Sequence, residues 1–229
     1  MDRRAAGLFV TGTDTGVGKT YVAALIARWL VAAGQRVGVY KPAASGCRRQ
    51  GDRLVCDDAA ALWDAAGRPG ELDRVCPQRF MAPLAPHLAA RAEGKRLGAE
   101  KLRSGIDYWR QQSDVILVEG AGGLMSPLGE EDYVADLADE FGFPLVVVSR
   151  NALGTISQTL QTLITAATFR EGLAIAGVVL NNPAPPSDDA SLQTNRSELA
   201  ARCVPPILAE VGWQADQFDT EVDWHELAG

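Results

Sequence analysis

The sequence predicts an α/β fold, in which helices cover both faces of a doubly wound, mainly parallel sheet. Three observations support this prediction: short runs rich in Val, Ile and Leu, helical periodicities that alternate with those runs, and a glycine-threonine loop between the first strand and the first helix. Strands buried on both faces of a parallel sheet have this continuous apolar character. Right-handed crossovers between such strands place ligands at the carboxyl ends of the strands.

The predicted elements alternate along the chain. Six strands are expected at Leu8–Thr11, Val37–Tyr40, Val115–Glu119, Leu145–Ser149, Ile175–Leu180 and Ile207–Val211. Seven helices are expected at about 18–33, 58–66, 84–93, 97–112, 133–141, 154–171 and 188–202. Gly34 suits the end of the first helix, because glycine tolerates the left-handed conformation found there. With no internal repeat, we expect one domain over residues 1–229, in which the Pro-rich stretch 181–189 is a surface loop.

The composition favours a protein with a sizeable core and an acidic surface. The chain has 229 residues, of which 47% are hydrophobic, and its formal net charge is −7. A negative surface repels phosphate backbones, which disfavours nucleic acid as a partner. Arg48, Arg49 and Arg53 come nearest to a basic patch, and we interpret them as part of a solvated loop.

Cysteine and histidine usage disfavours a structural zinc site. The four cysteines show no C-x-x-C spacing, and the chain has only two histidines: Cys47, Cys56, Cys76, Cys203, His87 and His225. The N-terminal residues lead directly into the first strand without a secretory apolar region, and no apolar run reaches membrane-spanning length. We therefore expect a cytoplasmic protein with reduced thiols and no membrane partner.

Residues 9–30, FVTGTDTGVGKTYVAALIARWL, contain the signature of a nucleoside triphosphate site. In such a loop the backbone N–H groups surround the phosphates, and the following helix adds the positive end of its dipole. Lys19 would reach the β- and γ-phosphates, and the Thr20 hydroxyl would bind Mg²⁺. The literal pattern requires glycine at position 13, where this chain has Thr13 after Gly12. The strand-loop-helix context still favours a P-loop NTPase fold over an ordinary glycine-rich turn.

Charged residues follow two further strands at the same predicted edge of the sheet. Lys41 follows the second strand in the run KPAASG, where it would stabilise charge on a transferring phosphoryl group. Glu119 ends the third strand, ahead of a glycine loop, at the position where a carboxylate binds Mg²⁺ directly or through water. The alternatives are a surface lysine at a strand edge and a turn carboxylate.

Two pairs of polar residues remain open between structural and functional interpretations. Asp57 and Asp58 precede a helical stretch, where they would cap the helix or supply a second carboxylate to the metal. Asn181 and Asn182 follow the fifth strand, where they would form a turn or recognise an adenine edge. Sequence spacing does not choose between the two interpretations of the aspartates, whereas the asparagines taken alone favour a turn, because Asn-Pro is common in turns.

In combination, the motifs GTDTGVGKT, KPAASG, VEGAGGLMSPL and the NN before PAPP resemble the dethiobiotin synthetase family of the biotin pathway. The matching segments run in order from Phe9 to about Gly212. The resemblance implies an ATP- and Mg²⁺-dependent ligase that closes a cyclic urea from 7,8-diaminononanoate and CO₂. In the family, one amine forms a carbamate, ATP phosphorylates it, and the second amine attacks the carbamic-phosphoric anhydride. The products are dethiobiotin, ADP and phosphate.

The resemblance also implies roles for the matching residues. The implied catalytic residues are Lys41, Lys19 and Thr15, and the implied substrate-binding residues are Ser45, Thr15 and Lys41. The implied metal ligands are Thr20, Asp58 and Glu119. The residues implied to bind ATP are Gly16, Val17, Gly18, Lys19, Thr20, Tyr21, Asp58, Glu119, Gly120, Ala121, Gly122, Asn181, Asn182 and Gly212.

The chain departs from the family pattern at three places. Gly16 stands where one form of the family has Glu, and Gly212 stands where proline is often found beside the adenine. The loop CRRQGDRLVCD at 47–57 matches no part of the pattern. His87 lies at a predicted helix start, where we expect a structural histidine.

The family resemblance further implies a homodimer with the diamine site at the interface. The loop 149–155 of the neighbouring subunit would complete that site, and the start of its helix would bind the substrate carboxylate through backbone N–H groups.

Three other classes of protein are alternatives to the ligase. Partitioning switch ATPases carry a lysine where this chain has Asp14. Amide-forming cobyrinate-type synthetases usually append a glutaminase domain, for which the stretch after the last predicted strand is too short. A non-catalytic nucleotide-binding module does not require Lys41, Ser45 and Glu119 at the catalytic edge.

Overall fold

The computed structural model describes residues 5–229 and contains ten strands and ten α-helices over that range. The first four residues of the expected domain lie outside the described residues. The strands are β1 Ala6–Gly12, β2 Val37–Tyr40, β3 Ala43–Ala44, β4 Arg48–Gln50, β5 Arg53–Val55, β6 Gln78–Arg79, β7 Val115–Glu119, β8 Leu145–Arg150, β9 Ile175–Asn181 and β10 Ile207–Val211. The helices are α1 Lys19–Ala32, α2 Asp57–Ala65, α3 Leu72–Val75, α4 Pro86–Ala92, α5 Ala99–Ser104, α6 Ile106–Gln112, α7 Val134–Phe141, α8 Thr155–Thr168, α9 Asn195–Ala200 and α10 Trp224–Ala228.

Six strands form one parallel sheet in the order β10-β9-β8-β1-β7-β2, which confirms the predicted fold class. β1 lies inside the sheet between β7 and β8, so the loop that follows it has strand ends on both sides. The register brings the ends together. Val118 of β7 pairs with Tyr40 of β2, and therefore Glu119 and Lys41, the next residue on each strand, are neighbours.

The strands of the sheet consist mainly of apolar residues, which suits their burial beneath the surrounding helices. Every residue of β2 and β7 is buried, as is every residue of β1 after Ala6. Helices α1, α6 and α8 pack against the sheet, and aromatic rings fill the space between α7 and the sheet. The ring centroids of Phe9 and Phe141 are 6.4 Å apart, and those of Tyr40 and Phe141 are 6.3 Å apart. This packing fixes the strands whose ends carry the site residues.

The helix predicted over 97–112 is interrupted, and the reason lies in β2. The hydroxyl of Tyr40 donates hydrogen bonds to the carbonyl oxygens of Lys101 and Leu102 at 2.8 and 3.0 Å. Those carbonyls would otherwise accept from Gly105 and Ile106 in a continuous helix. Gly105 also leaves room for the Tyr40 ring, which a Cβ at that position would overlap. The chain therefore forms α5 and α6 as two short helices.

Other short elements were not predicted. The expected helix over 188–202 is a 3₁₀ turn at Ala190–Gln193 followed by α9, and the helix expected to reach residue 171 ends at Thr168. Two small sheets, β3–β6 and β4–β5, flank the main one, and α10 buries Trp224 against α1 and β1. Among residues 5–229, no helix is both long enough and apolar enough to cross a membrane.

Candidate active site

The glycine-threonine loop after β1 is closed and preorganised around Lys19. The side chain of Lys19 is buried, and its Nζ donates to the carbonyl oxygen of Asp14 at 2.9 Å. The carboxylate of Asp14 accepts in turn from the backbone N–H of Thr15 at 2.6 Å. Desolvation lowers the pKa of Lys19 from its usual value, while the charge of Glu119 opposes that effect. Among residues 5–229 this buried ammonium donates to no group other than that carbonyl oxygen, so it is suited to receive an anion.

Gly18 and Asn181 fit each other closely at the start of α1. Gly18 caps the helix with φ of 92°, a left-handed conformation that side chains disfavour. A Cβ at this position would also overlap the amide of Asn181. The Nδ2 of Asn181, at the end of β9, donates to the carbonyl oxygen of Val17 at 2.8 Å. Asn181 is 2% exposed, so it supports the loop from below.

Lys41 and Glu119 form the buried centre of the site, as the strand register requires. The Nζ of Lys41 lies 2.5 Å from Oε1 of Glu119 and 3.1 Å from Oδ2 of Asp58. The hydroxyl of Thr20 donates to the same Oε1 at 2.9 Å. The two carboxylates raise the pKa of Lys41 despite the opposing cost of desolvation, so Lys41 is a cation.

One oxygen of Glu119 has no partner. Its Oε2 is buried and accepts no hydrogen bond from the described residues, although Oε1 accepts from both Lys41 and Thr20. An unpaired buried carboxylate oxygen is costly, which makes it a strong acceptor for a cation that enters the site. Thr20, Glu119 and Asp58 supply only oxygen atoms, the ligand type that Mg²⁺ prefers.

The structure separates the two adjacent aspartates, which the sequence could not do. Asp57 faces outward and pairs with Arg48 at 2.5 Å, and both side chains are more than half exposed. Asp58, one residue later, turns towards Lys41. The thiol of Cys56 caps this helix by accepting from the N–H of Ala59 at 3.4 Å.

The glycine loop after β7 approaches the loop after β1 closely. A Cβ at Gly123 would lie 3.3 Å from the carbonyl oxygen of Gly12, and the N–H of Gly123 donates to the hydroxyl of Ser126 at 2.8 Å. A Cβ at Gly120 would meet Val134 and Phe9, so this glycine faces the core. Two backbone loops without bulky side chains thus meet at one edge of the sheet.

A cavity of about 830 Å³ lies over these loops and brings most of the predicted residues together. The predicted residues that line it are Thr15, Gly16, Gly18, Lys19, Thr20, Tyr21, Lys41, Ser45, Asp58, Glu119, Ala121 and Gly122. Sequence reasoning missed Arg28 and Asp64, which also line the cavity. The helical spacing of Tyr21, Ala24 and Arg28 along one face of α1 could have found the first of them.

Some predicted residues lie elsewhere. Val17 is buried under the loop, and Asn181 lies beneath it. Asn182 and Gly212 line a second cavity of about 360 Å³, together with Trp213. The hydroxyl of Tyr21 donates to the carbonyl oxygen of Ala215 at 2.6 Å, and the backbone N–H of Ala215 donates to the carbonyl oxygen of Gly212 at 3.1 Å, so the start of α1 contacts the segment that follows the second cavity. 

His87 contacts the backbone rather than the site. Its Nδ1 lies 3.2 Å from the carbonyl oxygen of Pro127, in agreement with the expected structural role. A Cβ at Gly16 would meet no atom within 4 Å, so the position that holds Glu in some family members has open space here.

Comparison with known proteins assigns the chain to a family. A family model described as an AAA domain matches residues 6–218. The ATP-dependent dethiobiotin synthetase BioD of Rhodopirellula baltica is 42% identical in an alignment of length 214 that covers 89% of this chain and 82% of that protein. The protein of the same name from Anaeromyxobacter dehalogenans strain 2CP-C is 43% identical over 92% of this chain and 91% of its own. The chain belongs to the dethiobiotin synthetase family. The Bacillus subtilis member, from strain 168, is 37% identical over 88% of this chain and 85% of its own.

Solved structures agree on the fold of this dethiobiotin synthetase family member. A ParA family ATPase from Chlorobium tepidum TLS superimposes with a TM-score of 0.55 at 18% identity, over 93% of this chain and 86% of that chain. The signal recognition particle receptor FtsY of Elizabethkingia anophelis gives a TM-score of 0.55 at 14% identity, over 100% of this chain and 65% of that chain. At these identities the likeness establishes the shared fold alone.

Proposed function

We propose that this protein closes a cyclic urea from 7,8-diaminononanoate and CO₂, with ATP as co-substrate and Mg²⁺ as cofactor. The observation that carries the proposal is the convergence of Lys19, Lys41, Glu119 and Asp58 on one cavity at the carboxyl edge of the sheet. These residues offer positive charge and metal ligands but no nucleophile. They suit a reaction between amines, CO₂ and phosphates, whose reactive groups all come from the substrates.

In the proposed sequence, one amine attacks CO₂ and loses a proton to give a carbamate. An oxygen of the carbamate then attacks the γ-phosphorus of ATP, and ADP leaves. The second amine attacks the carbonyl carbon of the mixed anhydride, expels phosphate and loses a proton as the ring closes. The lysines Lys19 and Lys41 stabilise the negative charge on the transferring phosphoryl group, and Thr15 and Ser45 position the diamine and the phosphate.

Mg²⁺ would be held by Thr20, Glu119 and Asp58. The support for this assignment is the partnerless Oε2 of Glu119 and the all-oxygen donor set around it. When bound, the metal neutralises charge on the phosphates. Lys41 already occupies Oε1 of Glu119, and this leaves Oε2 as the free acceptor.

The ATP phosphates would lie against the segment from Gly16 to Tyr21 and the glycines after β7, while the base would extend towards Asn182 and Gly212. This path is supported by the hydrogen bond between Tyr21 and Ala215, which links the start of α1 to the segment that follows Gly212. Asn181 would link the phosphate part of the site to the base part, because its side chain holds the phosphate loop through Val17 and the next residue is Asn182.

We also propose a homodimer with the diamine site at its interface. A further cavity of about 390 Å³, lined by Thr13, Asp14, Met125 and residues of α8, opens beside the phosphate loop. Met125, which lines this cavity, is 44% exposed, and two further apolar side chains are exposed on the same stretch of chain as α8, Leu153 at 85% in the loop 149–155 and Ile164 at 63% on the helix. Exposed apolar residues of this size are suited to burial by a second subunit. 

The central test is diamine-dependent release of ADP. The full-length protein is mixed with MgATP, bicarbonate and 7,8-diaminononanoate, and ADP and dethiobiotin are measured together. Equal amounts of both products, formed only when all three substrates are present, would support the ligase. ATP hydrolysis without the diamine, stimulated by lipid or DNA, would support a switch ATPase instead.

The role of Lys41 is tested by substitution. We expect Lys41→Gln to slow the chemical step by about 10²–10³-fold, the usual loss for one preorganised donor. Lys95→Gln is the matched control, because Lys95 pairs with Glu93 on a distant surface. An unchanged single-turnover rate in Lys41→Gln would remove Lys41 from the mechanism.

The dimer is tested with Leu153→Asp. We expect this exposed substitution to shift the mass measured by light scattering from two chains to one and to raise the KM for the diamine more than that for ATP. A monomeric wild-type protein with full activity would contradict the interface.

A further inference from the structure

The second cavity contains an asparagine whose amide orientation is fixed. The Nδ2 of Asn182 donates to Oε1 of Glu210 and to the carbonyl oxygen of Val211, both at 2.9 Å. A carboxylate and a backbone carbonyl only accept hydrogen bonds, so the amide must present its NH₂ group to them. Both N–H groups of Asn182 are therefore used inside the protein, and its oxygen is left available to the cavity that Asn182 lines.

Glu210 maintains this orientation from below. The same Oε1 accepts from Nδ2 of Asn151 at 2.9 Å, and the Oδ1 of Asn151 accepts from Asn195 at 2.8 Å. Asn151 and Asn195 are 5% and 2% exposed. Because each amide in the chain from Asn195 to Asn182 has its direction set by a neighbour, Asn182 cannot rotate without leaving Glu210 with a lost donor.

Asn181 plays a different part from Asn182. Its Nδ2 donates to the carbonyl oxygen of Val17, and its side chain is buried beneath the phosphate loop and lines neither cavity. Asn182 is therefore the asparagine that presents an acceptor to the second cavity. Glu210 lines the cavity as well and adds a carboxylate, which is a further acceptor. Trp213, which is 41% exposed, supplies an aromatic face on the same cavity.

We propose that Glu210 determines the base selectivity of the nucleotide site by holding Asn182 with its oxygen towards the base. An acceptor wall pairs with the exocyclic amine of a 6-aminopurine and opposes the O6 carbonyl of hypoxanthine or guanine. Glu210 is a positioning residue, since it acts through Asn182. This inference rests on the proposed function only in requiring that the base of ATP lies in the second cavity.

The test measures nucleotide binding directly, without the diamine. Titration calorimetry of the full-length protein compares ATP with ITP, which differ at position 6 of the purine, and uses inorganic tripolyphosphate as the probe of the phosphate loop. We expect the wild type to bind ITP about 10- to 100-fold more weakly than ATP, because two facing acceptors leave a hydrogen bond unmade. Equal affinity for ATP and ITP would overturn the proposal.

Two substitutions at position 210 separate polarity from bulk. Glu210→Leu removes one of the two acceptors that hold the amide and leaves only the Val211 carbonyl oxygen, so we expect the ATP preference to fall by at least about threefold while tripolyphosphate affinity is unchanged. Glu210→Gln keeps a carbonyl oxygen in the place of Oε1, and we expect it to retain the preference. Glu221→Leu, on an exposed surface, is the control. Retained preference in Glu210→Leu, or its loss in Glu210→Gln, would contradict the role of Glu210.

A further variant, Asn182→Leu, tests the proposal independently in case Glu210→Leu does not fold. We expect Asn182→Leu to weaken ATP binding towards the ITP value and to leave ITP binding unchanged, and a fall in both affinities would contradict the proposal. A protein that discriminates ATP from ITP but releases no ADP with the diamine would refute the proposed ligase and leave this inference standing.

Discussion

We expect the replacement of Lys41 by methionine to lower the free energy of unfolding, independently of any effect on catalysis. Lys41 and Glu119 are 4% and 2% exposed, and their charged atoms are 2.5 Å apart. Lys41→Met keeps the bulk of the side chain but leaves the Glu119 carboxylate buried with Thr20 as its remaining partner. Removal of one member of a buried ion pair costs about 3–5 kcal/mol.

A second substitution, made in the Lys41→Met variant, shows whether the loss of stability comes from the unpaired charge or from altered packing. Glu119→Gln in the Lys41→Met background removes the unpaired charge, so we expect the double variant to recover most of the lost stability. The free energy of unfolding is measured by urea denaturation in EDTA, so that no divalent cation replaces Lys41. For a chain of this size, about 1 kcal/mol corresponds to a shift in Tm of about 2–4 °C, which predicts a loss of about 6–20 °C for Lys41→Met.

The control for this measurement is a lysine on the surface of the protein. Lys95→Met removes a lysine whose side chain is 53% exposed and which pairs with Glu93, and it is expected to cost about 0–1 kcal/mol. If Lys41→Met costs no more than Lys95→Met, the pair at the centre of the site does not stabilise the fold. If the double variant is less stable than Lys41→Met, the unpaired charge of Glu119 is not the cause.

Three further predictions follow from other contacts. Gly18→Ala should weaken ATP binding at least tenfold in a calorimetric titration, because the Cβ would overlap Asn181 and the φ of 92° is strained for alanine, whereas Gly34→Ala, away from the site, should bind ATP normally. Trp224→Ala should lower the free energy of unfolding by about 3–5 kcal/mol, measured in urea, because the indole is fully buried; a loss under 1 kcal/mol would show that α10 does not stabilise the core. Burial raises the pKa of Tyr40 above its usual 10.0, so the fold favours the neutral phenol and stability should fall as pH rises above about 10; a parallel decline in Tyr40→Phe would assign the loss to other groups.

The sequence predicts the ends of the strands, and the residues that follow them, better than it predicts other features. Apolar runs bounded by Gly, Lys or Glu give β2, β7 and β10 their observed bounds, and parallel pairing brings the residues after them to one edge. That reasoning predicts the neighbourhood of Lys19, Lys41 and Glu119 without knowledge of any contact. It works because strand period and burial are local properties of the sequence.

The remaining features depend on contacts between distant residues. The choice between Asp57 and Asp58 follows from Arg48, which holds Asp57 outward, and a pair of adjacent carboxylates contains no such information. The break between α5 and α6 follows from the hydroxyl of Tyr40, about sixty residues earlier in the chain. The hydrogen bond from Asn181 to Val17 could not be predicted for the same reason, because propensity and periodicity do not identify the partners of a long-range hydrogen bond.

The central place of β1 in the sheet has a consequence for how the protein folds. β1 pairs on one side with β7, beginning at Ala6 and Val115, and on the other with β8, beginning at Phe9 and Leu145. Its hydrogen-bond partners are therefore synthesised long after it, and closing such large loops slows folding. The phosphate loop, although its motif directly follows β1, acquires its shape only once β7 and β8 have been made. A nascent chain released before β8 would carry the whole nucleotide motif and hold no nucleotide.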